Sequence, residues 1–215
     1  YFYPSASLSL ILSDMLNLQS GPISFAKVRA NYAQVGGDAD VYALENTFGF
    51  GNDWGAIKRA VISGTLKNNA LKPLIGTSHE FGADIRFFKN RLGFDFTYYK
   101  TINKNQIISI PTTMASGYSS MIVNAGKIQN KGIELTMNAT PIEGAFRWDA
   151  TVNFTRNRNK VLKLIDGLTS YDLGSAEGVL FRVEEGKEMG DMYAYGWATV
   201  PDGEHKGEPL LNDDG

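Results

Sequence analysis

Residues 130–155 read NKGIELTMNATPIEGAFRWDATVNFT, and their alternation limits the fold more than any other feature of the chain. Ile133, Leu135, Met137 and Ala139 share one side with Lys131, while Asn130, Gly132, Glu134, Thr136 and Asn138 share the other. Past the short PIEGA link, Phe146, Trp148, Ala150, Val152 and Phe154 oppose Arg147, Asp149, Thr151, Asn153 and Thr155. A two-residue period on both sides of a tight link describes an antiparallel hairpin with one apolar face. That face meets either packed side chains or lipid.

The same rhythm recurs upstream. It predicts strands over 5–12, 26–32, 80–87 and 92–98, which with the hairpin make six of about 8–12 residues each. A seventh is expected near Met192–Val200, and no long helix is expected. The links fall into two classes. Lys89–Asn90 and Pro141–Ala145 are tight turns, and Ser13–Pro22 is intermediate. Gly36–Leu74, Ile102–Gln129 and Asn157–Asp191 are long. Short and long links alternate, so an up-and-down meander places the short turns at one end and the long loops at the other. Compact soluble domains seldom carry structureless loops of this length, whereas outer-membrane barrels have short periplasmic turns and longer extracellular loops.

Two further details bear on the apolar face. Its stripes carry almost no charge, Lys131 at a strand's loop end being the exception, where a long stem can snorkel. Aromatic residues crowd near the tight turns (Phe87, Phe88, Phe94, Phe96, Phe146 and Trp148), as in an interfacial girdle. A soluble all-β sheet, for example a carbohydrate-binding module, also alternates, because one of its faces packs on a core. Both readings stand on the pattern alone.

Bulk properties narrow the function. A net charge of −2 gives no electrostatic case for nucleic acid, and the absence of cysteine removes disulfides and thiolate metal sites. The two histidines, His79 and His205, lie far apart in sequence with no sign of a nucleophile–base arrangement, and no carboxylate pair sits in a setting that would shift its pKa. An enzyme, a cofactor and a resident metal are therefore not expected. The terminal NDDG, Asn212–Gly215, fits a tight turn and lacks the spacing of a calcium loop. Loop aromatics are the best candidates for contact with a substrate or partner: Trp54, Tyr118, Tyr195 and Trp197.

Specific segments carry a resemblance: YFYPSASLS (1–9), FAKVRANYAQVGGD (25–38), LKPLIGTSHEFGADIRFFKNRLGFDFTYYK (71–100), NAGKIQNKGIELTMNATPI (124–142) and EEGKEMGDMYAYGW (184–197). The most specific pattern joins Asn124, Gly126, Asn130, Lys131, Gly132, Glu134 and Leu135. With these segments the chain resembles the SusC/RagA-type TonB-linked outer-membrane transporters of Bacteroidetes-like bacteria. The resemblance implies an all-β transmembrane barrel of about 22 strands with a plugged lumen. Residues 1–215 would be a partial barrel domain from its C-terminal half, with both ends continuing into a longer protein. It further implies import of oligosaccharides or peptides across the Gram-negative outer membrane. A SusD-like surface lipoprotein would be a partner, and TonB would act through an N-terminal part absent from this chain. On that frame Lys27, Arg29, Glu80, Asp84, Arg86, Asp95, Glu134, Arg147 and Asp149 face the lumen, while the apolar stripes face outer-membrane lipid.

Overall fold

The computed structural model describes residues 2–18 and 21–210. The terminal NDDG segment lies outside them. The elements follow in chain order as β1 (Ser5–Ile11), a one-turn helix α1 (Leu12–Met15), β2 (Ile23–Gly37), β3 (Phe48–Phe50), β4 (Ala60–Ile62) and β5 (Thr65–Leu66). Next come β6 (Leu74–Phe87), β7 (Leu92–Pro111), β8 (Ser120–Glu143), β9 (Arg147–Lys163), β10 (Ser170–Ala176), β11 (Val179–Glu184) and β12 (Asp191–Ala194).

The main sheet runs β1-β2-β6-β7-β8, with β9 along the lower part of the next edge of β8 and β5 pairing in parallel at its upper end. Every other contact between neighbours in this sheet is antiparallel. It is the expected all-β meander, open rather than closed within this chain. Short turns at Phe88–Arg91 and around Gly144 mark one end. In the first, Phe88, Lys89 and Asn90 all adopt positive φ (52°, 55° and 68°), a sharp reversal that side chains tolerate only in turns.

Cross-strand register separates the two faces through the middle of the sheet. One row reads Leu10–Val28–Ala83–Phe96–Leu135–Phe154, and the row beside it on the opposite face reads Ser9–Arg29–Gly82–Thr97–Glu134–Thr155. No second layer from the described residues covers the apolar rows: Phe81 is 55% exposed, Val152 52% and Phe154 50%. The buried cluster lies elsewhere, at the loop end. There Val161, Leu164, Tyr171 and Val183 pack with Ile108 and Ile110 where the upper parts of β7 and β9 meet the small sheet β10-β11-β12. The accessible surface is 15482 Å², against about 9,800 Å² for a compact monomer of the same mass. A sandwich would seal the apolar rows, and this sheet leaves them open.

Two expectations about the long links need correcting. The link expected over Ile102–Gln129 is mostly strand, because β7 continues to Pro111 and β8 starts at Ser120. The link over Asn157–Asp191 is likewise shortened, since β9 continues to Lys163. The seventh strand near Met192–Val200 is the short β12, which pairs β11 in the small sheet and not the main one. The cause is local: above the apolar band both faces are polar or covered by loop structure, so alternation no longer marks the strands.

Candidate functional site: a charged sheet face and exposed loop aromatics

On the polar face, Asp84 of β6 and Asp95 of β7 stand directly opposite each other. Like charges in that position repel, and two arginines offset the repulsion from either side. Arg29 donates two hydrogen bonds to Asp95, Nη1 to Oδ2 at 3.0 Å and Nη2 to Oδ1 at 2.7 Å, and a third from Nη2 to Thr97 Oγ1 at 2.6 Å. Arg86 forks onto Asp84 with Nε to Oδ1 at 3.1 Å and Nη2 to Oδ2 at 2.8 Å. Glu80 joins at 3.9 Å from Arg29 Nε, and the Arg86 guanidinium also lies 5.0 Å from the centre of the Phe25 ring. Bidentate geometry of this kind is the strongest form of ion pairing between side chains.

Arg29 sits on β2 and Asp95 on β7, with β6 between them. The guanidinium reaches across because Gly82 stands in its path: a Cβ there would collide with Arg29. The device repeats two strands along. Tyr99 of β7 crosses Gly132 of β8 and donates to Asn157 Oδ1 of β9 at 3.2 Å, and a Cβ on Gly132 would lie 2.6 Å from the Tyr99 hydroxyl. Gly82, Thr97, Gly132, Tyr99 and Asn157 were not among the sequence candidates. The detectable signal is a glycine inside a strand, a common sign of close approach by another group, but the crossing residue depends on register.

Of the expected lumen residues, Arg29, Glu80, Asp84, Arg86 and Asp95 converge into this one network. Arg147 and Asp149 form a separate exposed pair (Nε to Oδ2, 2.8 Å), steadied by the Thr140 hydroxyl on Asp149 at 2.6 Å. Glu134 shares the face, opposite Thr97, and forms no ion pair among the described residues. A hollow of about 480 Å³ opens beside the network, lined by Asp84, Arg86, Asn90, Asp95, Thr136 and Asn138. Among the described residues no cluster of three or more metal-ligating side chains occurs.

Among the described residues no ring contact joins the four loop aromatics. Trp54 is 82% exposed in the hairpin made by β3 and β4, held by reciprocal backbone bonds with Ile57. Tyr195 is fully exposed and Trp197 87% exposed just beyond β12. Tyr118 is half-buried between β7 and β8. His79 lies inside β6 with its ring centre 5.2 Å from that of Tyr32, and His205 Nδ1 lies 3.2 Å from Glu208.

Comparison with known proteins follows the same lines. Residues 1–182 match the family model described as "TonB dependent receptor-like, beta-barrel". TonB-dependent receptor P3 of Formosa agariphila is 29% identical over 213 residues, which take in 94% of this chain and 21% of that protein. TonB-dependent receptor SusC of Bacteroides thetaiotaomicron is 33% identical over 103 residues, 46% of this chain and 10% of its own length. The chain thus spans about a fifth or less of these curated relatives. Among solved structures, the RagAB peptide transporter superposes with a TM-score of 0.76 at 24% identity, over 86% of this chain and 20% of its own, a likeness of fold. With a family match over most of its length and the open, two-faced sheet that such a match requires, the chain belongs to the TonB-dependent receptor β-barrel family.

Proposed function

We propose that residues 1–215 form part of the wall of an outer-membrane importer of the SusC type, which takes up oligosaccharides or peptides with energy delivered through TonB and with a SusD-like lipoprotein at its outer mouth. The carrying observation is the division of the sheet into an uncovered apolar face and an internally ion-paired polar face. Lipid satisfies the first and a wet lumen the second. On this reading Arg29, Glu80, Asp84, Arg86, Asp95, Glu134, Arg147 and Asp149 line the lumen. Trp54, Tyr118, Tyr195 and Trp197 stand at the extracellular end, where flat rings stack on sugar faces or pack on a lid.

Uptake of a panel of labelled oligosaccharides and peptides by cells expressing the full-length protein tests this. Import of members of one class is expected, and it should stop when the TonB-contacting segment is deleted. Trp197→Ala and Trp54→Ala should weaken uptake without altering barrel assembly. Recovery of the full-length protein in the soluble fraction, or uptake indifferent to that deletion, overturns the proposal.

A further inference from the structure

The apolar face ends abruptly. Above the row Leu8–Ala30–Phe81–Tyr98–Ile133–Arg156, the next row on the same face reads Ala6–Tyr32–His79–Lys100–Lys131–Arg158. Lys100, Lys131 and Arg158 are consecutive neighbours across three strands, and two rows higher Lys104 stands directly opposite Lys127. Directly opposed side chains have Cβ atoms about 4.5–5.5 Å apart, so like charges there are destabilising. On the polar face the comparable clash, Asp84 against Asp95, is relieved by two arginines. Here no counter-charge is supplied: none of Lys100, Lys104, Lys127, Lys131, Arg156 or Arg158 forms an ion pair among the described residues. Lys100 and Lys131 lie inside the sheet, on β7 and β8, so their exposure does not depend on what adjoins β9.

The height of this row is informative. From Phe146, beside the short turn, to Arg156, in the last row below these cations, is ten residues, about 33 Å along a strand and about 25 Å along the membrane normal once strand tilt is included. That matches the height of a barrel's apolar band, so the cations stand at the headgroup level on the loop side. Two hollows flank Lys131 and Arg158. The lower, about 250 Å³, is shared with Tyr98, Ile133 and Arg156; the upper, about 260 Å³, is shared with Lys160, Lys187 and the carboxylate-bearing Glu188.

We infer that Lys100, Lys131, Arg156 and Arg158 form an outward-facing site for the phosphate groups of the phosphorylated glycolipid that surrounds the barrel in the outer leaflet. A phosphate between Lys131 and Arg158 offsets the cation–cation repulsion, and acyl chains lie on the Tyr98–Ile133 row directly below. This inference rests on the membrane placement proposed above.

The test uses the full-length protein in detergent, with bisphosphorylated lipid A, its dephosphorylated form and sodium pyrophosphate as probes, and native mass spectrometry as the readout. Wild type should retain bisphosphorylated lipid A at least tenfold better than the dephosphorylated lipid. Lys100→Gln with Lys131→Gln should weaken retention by about tenfold or more, and Lys89→Gln, at the opposite end of the strands, should leave it unchanged. Equal retention of both lipids, an unaffected double variant, or displacement by an equimolar amount of pyrophosphate overturns the site. Heat-modifiable mobility on a gel, measured in parallel, reports barrel formation. A variant that keeps it but loses lipid supports the site, whereas a wild type that never shows it brings down the membrane reading itself.

Discussion

At the scale of single residues, the polar face is built on absent side chains as much as on present ones. Arg29 reaches Asp95 only because Gly82 leaves its path clear. Gly82→Ala should therefore dislodge the guanidinium and leave Asp84 and Asp95 facing each other with one arginine fewer. The pair is partly exposed, with 25% and 40% of the two side chains accessible, so the expected cost is modest, about 1–2 kcal/mol. Denaturant unfolding of the full-length protein in lipid measures it. In an Arg29→Ala background the same glycine substitution should cost almost nothing, because no guanidinium remains to displace. Additive costs would refute the crossing. None of this was legible in the sequence. The glycine and the charges are visible there, but their meeting depends on a register that joins residues 29, 82 and 97. The same is true of the outward cations: Lys131 alone looks like a stray charge on an apolar stripe, and only pairing sets it between Lys100 and Arg158.

At the scale of elements, alternation located the strands wherever the two faces meet different surroundings. Around Val152 the contrast is complete, and it makes a sharp prediction. Val152→Arg puts a cation on the uncovered apolar face and should cost about 2–4 kcal/mol if that face meets the bilayer midplane. Thr151→Arg, one residue earlier and on the other face, should be nearly neutral. Comparing heat-modifiable barrel in outer-membrane fractions of the two variants decides the matter, and equal losses would remove the case for lipid. Alternation failed in the upper strands, where NKNQII (103–108) has wet or loop-covered surroundings on both sides and Asn105 and Gly126 take positive φ (57° and 32°).

In the small sheet only β12 was foreshadowed, by the strand expected near Met192–Val200, and β10 and β11 were missed for a related reason: they are short and a register shift between Asp172 and Gly174 breaks the period. It is tied by charge as well as by its core. Tyr193 donates to Glu184 Oε2 at 2.8 Å, and Lys187 Nζ lies 3.1 Å from the same carboxylate oxygen. These hydrogen bonds, from Tyr193 first and Lys187 second, hold the Glu184 carboxyl below the usual glutamate range. A folded pKa depressed in this way contributes stability that is fully present above the unfolded value and is lost as pH falls through the folded one. Amide exchange over residues 179–194, corrected for intrinsic rates, should therefore quicken as pH drops below the usual glutamate range. Glu184→Gln should remove that dependence.

At the scale of the whole molecule, the sheet has edges that matter more than its middle. On the loop side, the outer edge of β9 is closed by a turn: the Val161 amide donates to the Lys187 carbonyl at 2.9 Å, and the Gly186 amide donates to the Val161 carbonyl at 2.8 Å. Met189 adds a bond from its amide to Asn159 Oδ1 at 2.6 Å. Among the described residues, β9 below that turn pairs on one side only, with β8, and at the far side of the sheet β1 pairs only with β2. Water can satisfy such edges, but hydrocarbon cannot, and each unpaired backbone group there costs several kcal/mol. The apolar rows and the open edges therefore make opposing demands on these 215 residues taken alone. Lipid would cover the rows and penalise the edges, whereas water would satisfy the edges and leave Phe81, Val152 and Phe154 exposed. Only closure by further strands meets both. The isolated 215-residue chain should accordingly fail to form a heat-modifiable species in detergent or lipid. In water it should bind an apolar fluorescent dye strongly and unfold without a cooperative transition. The full-length protein should show the reverse on all three counts. A monodisperse, cooperatively unfolding 215-residue chain in detergent-free buffer would mean that its apolar rows find a protein partner, and the barrel reading would fall with that result.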